Sequence, residues 1–229
     1  MTDYTIPQWE RSCLVTIHVQ EDVAGVDAKW SLPGAAQAVE NIAVLCATWR
    51  SAGLPIVHCV RLYLANGSNV DLCRRADVEA GRHVLVPGTV GAELAEPLRL
   101  PGYPGLNCQR LLGGEPQQIG PKEHVVYTPR FSAFHRSGLH DLLQRLGSTT
   151  LILAGMNFPN CPRTSIYQAS DHDYRVAVVA DAISGAYAQG IEELEGIGCS
   201  VFTTTEICNK PAVGLPQPSE STQRCASMS

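Results

Sequence analysis

Apolar residues in this chain recur in two patterns, short unbroken runs and longer stretches spaced every three or four positions. The runs are Cys13–Val19, Pro55–Val60, Glu123–Thr128, Leu151–Ala154, Arg175–Ala180 and Cys199–Thr203. Continuous β-prone runs of this kind suit strands buried on both faces of a parallel sheet. Between them lie helical spacings. Gly34 to Ser51 carries Val39, Ile42, Ala43, Cys46 and Trp49, and is stopped by Gly53 and Pro55. Ser137 is placed to cap a helix with Leu139, Leu142, Leu143 and Leu146 on one face. Further helices are expected over Pro162–His172 and Ile191–Ile197, with a short one around Gly91–Ala95. Alternation of buried strands with amphipathic helices predicts a three-layer α/β/α sandwich around a six-stranded, mainly parallel sheet. One domain over residues 1–209 is expected, followed by a flexible tail over 210–229. The Pro- and Gly-rich stretch Leu100–Lys122 is long for a structureless connection, so it reads as an insertion or as a functional loop that shapes access to a pocket.

Composition narrows the class. The chain has 229 residues, 45% apolar and 17% charged, enough to bury a substantial core. A net charge of −5 without a basic cluster argues against nucleic acid as a partner. No run is long enough to span a bilayer, and the N-terminus lacks a signal-peptide pattern, so a cytoplasmic protein without a membrane partner is expected. The nine cysteines are odd in number and scattered, with no C-x-x-C pair, and read as reduced thiols.

Candidate chemistry centres on Leu151–Thr164, a strand, a glycine-started turn at Gly155, and a helix whose first turn carries Cys161. Pro162 suits the first helical position, which puts Cys161 at or near the N-cap. There the positive end of the helix dipole favours a thiolate, and free backbone N–H groups suit an oxyanion. The alternative is a small apolar residue filling a turn. In open α/β sheets chemistry sits at the carboxyl ends of the strands. Sequence position brings three residues there: His18, Thr128 and Cys161.

Four blocks resemble the isochorismatase-like cysteine hydrolase family, which includes nicotinamidases, carbamoyl and ureido amidohydrolases, and biuret hydrolases. Ile17-His18-Val19-Gln20-Glu21-Asp22 is similar to the family's I-D-M-Q-N-D, and Gly88-Thr89-Val90-Gly91-Ala92-Glu93-Leu94 to the G-T-x-G-A-E-L of its ureido branch. Tyr127–Phe134 resembles K-P-R-Y-S-A-F, and the spacing from Gly155 to Cys161 is the family's. The resemblance spans about residues 10 to 207 and implies the family's Rossmann-like strand order. It implies a catalytic triad of Asp, Lys and Cys, of which this chain keeps only Cys161. His18 stands at the Asp position and Thr128 at the Lys position, and the only lysines are Lys29, Lys122 and Lys210. Losing one member of a buried ion pair costs about 3–5 kcal/mol, whereas losing both keeps the site near neutral.

The function expected from this resemblance is hydrolysis of a C–N bond in a small amide, imide or ureide through an acyl-enzyme on Cys161, with no cofactor. His18 would replace the Asp as general base in a thiolate–imidazolium dyad, and Thr128 would orient the ring or the substrate. Met156, Asn157 and Asn160 on the elbow, with Arg130, Phe134 and Phe158, are the candidates for binding substrate or oxyanion. Trp30 is a further candidate pocket wall, while Gln20 and Asp22 read as caps or braces as readily as ligands. The resemblance also implies a cis peptide joining Met156 and Asn157, and a homodimer or homotetramer. The segment Arg61–Ser68 lacks the Asp-x-His-x-x-x-His pattern with which the nicotinamidase branch binds metal, so no metal is expected. Two alternatives stay open: a catalytically silent binding or scaffolding subunit, and a different reaction on the same scaffold.

Overall fold

The computed structural model describes residues 2–25 and 28–210, and the tail expected from residue 210 onward falls, except for Lys210, outside them. In chain order the elements are β1 (Ser12–Ile17), α1 (Glu21–Ala24), α2 (Ala35–Ala52), β2 (Ile56–Val60), α3 (Leu72–Glu79), α4 (Cys108–Leu112), β3 (Gln117–Gly120) and β4 (Glu123–Tyr127). They continue with α5 (Leu139–Arg145), β5 (Thr150–Gly155), α6 (Cys161–Asp171), β6 (Arg175–Ile183), α7 (Ala188–Gly196), β7 (Ser200–Phe202) and α8 (Thr204–Cys208). The sheet order is β3-β4-β2-β1-β5-β6-β7, parallel throughout except for β3.

All six expected strands form. The seventh, β3, is an antiparallel edge strand within the Pro- and Gly-rich segment, where Gln117-Gln118-Ile119-Gly120 gives little apolar signal. That segment packs Leu100, Tyr103, Leu106, Leu111 and Ile119 against Val60, Leu62, Leu94 and Val125. It therefore covers the β4 side of the sheet and contributes nothing to the candidate pocket, contrary to the access role expected for it.

Period-two alternation divides the strands between two cores. Leu14, Ile56, Ile152 and Val179 face α2, with Ile42, Leu45 and Trp49. Val15, Val57, Leu153 and Val178 face the other layer, with Leu142, Ile166 and Leu194 of α5, α6 and α7. With both faces covered, β1 is buried along its whole length, as a central parallel strand must be.

Register then assembles the site. Ile17 pairs with both Cys59 and Gly155, and Val60 pairs with Tyr127. The first residues beyond β1, β2, β4 and β5 are His18, Arg61, Thr128 and Met156, and they meet at one end of the sheet. β5 crosses to the opposite side of β1 from β2, so this end is also where the connections diverge, the usual place for a ligand. Gly155 makes the approach possible. Its φ is +137°, and a β-carbon there would collide with the Ile17 backbone, to whose carbonyl Met156 N donates at 2.9 Å.

Candidate functional site

The helix at the elbow starts one residue earlier than its sequence suggests. Cys161 is the first residue of α6, Asn160 precedes it as N-cap, and Pro162 is the second. Pro162 offers no N–H, Arg163 N donates to Phe158 O at 3.3 Å, and Thr164 N donates to Asn160 O at 3.1 Å. Cys161's own N–H is thus the first-turn donor left for a ligand. The Met156–Asn157 peptide is trans, which corrects the cis bond implied by resemblance.

Cys161 borders a cavity of about 100 Å³ with His18, Arg61, Arg74, Met156, Asn157 and Asn160, walled by Val23, Trp30, Leu32 and Leu85. This is small beside the roughly 300–1,000 Å³ of drug-sized sites. Thr128 lies behind it rather than in its wall, with Oγ1 2.8 Å from His18 Nε2 and donating to Val60 O at 3.2 Å. Three other expected site residues do not reach it. The Arg130 guanidinium donates to Asn69 O at 3.0 Å and Pro129 O at 2.7 Å. Phe134 stacks with Tyr174 and lies against His172. Phe158 packs edge-on to Tyr187 and against Gly190, whose missing β-carbon makes room for its ring.

Sequence reasoning named Arg130 but passed over the two cations that border the cavity, Arg61 and Arg74. Arg61 is 1% exposed, and its Nη1 donates to Asp71 Oδ2 at 2.6 Å. Its Nη2 donates to Arg130 O at 2.6 Å and approaches Cys161 Sγ at 3.9 Å. Arg74 Nη1 donates to Tyr63 OH at 2.9 Å and to Asp71 at 3.4 Å, and its guanidinium lies over the rings of Trp30 and Phe131, 4.5 and 4.9 Å from their centroids. Positive charge therefore reaches the cysteine from the end of β2 and from α3, not from position 128. Gln20 fixes the backbone of Arg61 by accepting from its N at 2.7 Å and donating to its O at 2.9 Å. Asp22 accepts from Leu85 N at 2.7 Å, so both read as braces. Gly91 passes so close to the Asp22 carboxylate that a side chain there would collide with it, which ties the 88–94 block to the cavity wall.

Electrostatics oppose an ion pair in the free protein. Burial, reinforced by the charges of Arg61 and Arg74, holds His18 well below its ordinary value of 6.5. Burial raises Cys161 above its ordinary 9.0, although both guanidinium groups pull it back. Among the described residues no hydrogen bond joins His18 to Cys161, and both shifts run against the thiolate–imidazolium pair expected from the sequence. His18 also takes φ +53°, a left-handed conformation that costs a non-glycine residue about 1–3 kcal/mol. No cluster of three or more His, Cys, Asp or Glu side chains among the described residues is placed to hold a metal.

The chain matches the sequence model of the isochorismatase domain over residues 12–104 and 108–206. An Arabidopsis thaliana protein named a probable inactive nicotinamidase is 28% identical over 205 residues, covering 87% of this chain and 95% of its own. Among solved structures, an isochorismatase family protein from Desulfovibrio vulgaris is 29% identical with a TM-score of 0.72, covering 86% of this chain and 96% of its own. N-carbamoylsarcosine amidase from Thermoplasma acidophilum shares the fold at 18% identity and a TM-score of 0.64, with 85% and 96% covered.

Proposed function

Given that the chain belongs to the isochorismatase family, we propose that it is a cofactor-free hydrolase cleaving a C–N bond of a small amide, imide or ureide through an acyl-enzyme on Cys161. The observation that carries this reading is the meeting of Cys161, on the first turn of α6, with His18 and two guanidinium groups in one small cavity. Sγ attacks the substrate carbonyl carbon, and its proton passes to His18 as the bond forms. With the Thr128 hydroxyl proton given to Val60 O, His18 Nε2 donates to Thr128 and Nδ1 keeps the lone pair that accepts. The oxyanion takes the Cys161 N–H and the field of Arg61 and Arg74. Asn157 Oδ1 accepts from Asn160 Nδ2 at 3.1 Å, which leaves the Asn157 amide N–H group to orient substrate. The His18 proton then goes to the leaving nitrogen, and water on the same imidazole releases the acid.

A neutral pair sets an unusual pH profile. The reactive form requires His18 unprotonated, and its pKa is depressed, so activity persists as pH falls through 6.5 and is lost only well below it. The raised thiol likewise moves the alkaline end upward. The experiment follows C–N cleavage across a panel of small amides, imides and ureides, by ammonia release for primary amides and carbamoyl groups and by product mass spectrometry for the others, and then kcat/KM against pH on the best substrate. An acid limb near 6.5 contradicts the buried neutral base.

A second reading, a silent binding protein, is favoured by the raised thiol and by similarity to a relative named inactive. Ligands that raise the melting temperature without any C–N cleavage across the panel would establish it.

A further inference from the structure

The Pro- and Gly-rich segment Leu100–Lys122 stays clear of the cavity at Cys161, yet its two ends wall a second one. Leu100 and Pro101 at one end, and Pro121 and Lys122 at the other, line it together with Leu54 and Ile56 at the start of β2. It holds about 390 Å³, within the roughly 300–1,000 Å³ of small-molecule sites, against about 100 Å³ beside Cys161. Ile56 and Glu123 begin β2 and β4 and pair in register, so this cavity lies where those strands start. Arg61, at the other cavity, follows Ile56 by five residues, about 16 Å along a strand. Pro101 and Pro121 fix φ at two positions of the wall, which keeps the hollow open and leaves Leu54 and Leu100 half-buried without partners on that side.

The polar groups of this cavity divide into a closed set and an open one. Glu123, 3% exposed, accepts from Arg50 Nε at 2.8 Å and Arg50 Nη2 at 2.7 Å, and from His58 Nε2 at 2.8 Å. Burial alone would raise its carboxyl pKa, but the bonds from Arg50 and His58 hold it down at about 2. Arg50 and Glu123 neutralise each other, and that carboxylate has nothing left for a bound cation. Lys122 is exposed and makes no ion pair among the described residues, so its ammonium is the charge left over at the cavity edge. Apolar walls with one unpaired ammonium are matched by a hydrocarbon body with a single anionic head.

We propose that the cavity where β2 and β4 begin is a second small-molecule site, taking a free apolar monocarboxylate. The hydrocarbon lies against Leu54, Ile56 and Leu100, and the carboxylate meets Lys122. The site stands independently of the chemistry at Cys161 and gives the 100–122 segment a role the first cavity does not.

The test titrates the full chain by calorimetry with octanoate and with octanamide, which share a body and differ in the charge of the head. The expected result is one site per chain, with octanoate bound more tightly by about twofold to fivefold, the share an exposed ion pair supplies. Lys122→Gln should bring the two ligands to equal affinity. Leu100→Asp sets a carboxylate against the hydrocarbon and should weaken octanoate by at least about tenfold. Pro101→Asp, at an exposed position, should weaken it severalfold and decides the matter if Leu100→Asp melts early. Iodoacetamide should label Cys161 at an unchanged rate in saturating octanoate. Absence of binding by either ligand overturns the proposal and leaves the hydrolase reading untouched. Equal affinities in the parent, or a preference for octanoate that survives Lys122→Gln, overturn the anionic class and the role of Lys122. Undiminished binding in both wall variants, or labelling lost in step with octanoate occupancy, places the ligand elsewhere and overturns the site.

Discussion

Cys161→Ala is expected to lower hydrolysis of the best panel substrate by at least about a thousandfold while leaving that substrate's binding measurable. The side chain is 4% exposed and faces a preformed cavity, so its removal takes away little beyond the reacting sulfur. The parent, quenched in acid during turnover, should show a mass increase on the Cys161 peptide equal to the acyl group, and the variant none. A Cys161→Ala protein that keeps activity within tenfold of the parent would end the acyl-enzyme account. It would point to water activated by His18 as the nucleophile in the same cavity.

The proposed mechanism needs no preformed thiolate, because it starts from two proton-transfer partners that burial disfavours charging. The cost of charge separation is deferred until substrate excludes water and the guanidinium groups face a developing oxyanion. Helix position alone suggested a thiolate at Cys161, and the dipole argument behind it is sound for an exposed thiol. Here burial outweighs it.

Much of the architecture was legible because buried parallel strands write themselves as unbroken apolar runs. Six of seven strands follow from that, as do α2, α5, α6 and α7. What escaped has physical reasons. β3 needs only one ladder and half a face of burial, so Gln117 and Gln118 serve. α3 reads Leu72-Cys73-Arg74-Arg75-Ala76-Asp77-Val78-Glu79, and Val78 is its only buried residue, so no apolar stripe marks it. Expecting chemistry just past each strand end selected His18, Thr128 and Cys161, and the same rule applied to β2 selects Arg61. Arg61 was passed over because that stretch was read only for a metal pattern. Arg74 has no such signal, for it reaches the cavity through the fold of α3 and its stacking on Trp30.

Arg61→Met is expected to destabilise the fold by about 3–5 kcal/mol in urea unfolding, a large share of the roughly 5–15 kcal/mol that holds a domain of this kind. The methionine fills most of the arginine's volume, so the loss is electrostatic. Asp71, 5% exposed, keeps Tyr63 OH at 2.6 Å and the longer Arg74 contact but loses its strongest partner. The Arg130 carbonyl loses its donor as well, while Pro129 O keeps the Arg130 guanidinium. Pairing the change with Asp71→Leu should return part of the stability, since the uncompensated carboxylate goes while Tyr63 OH, Arg74 and Arg130 O each lose a partner. Reactivity should not return with it. Without Arg61 the Cys161 thiol loses a charge that pulls its pKa down, so iodoacetamide labelling at fixed pH stays slower in the double variant than in the parent. Recovery of stability together with full labelling rate would make Arg61 a structural cation alone. Recovery of stability with slow labelling separates the two duties of one side chain, bracing the end of β2 and charging the wall beside the cysteine.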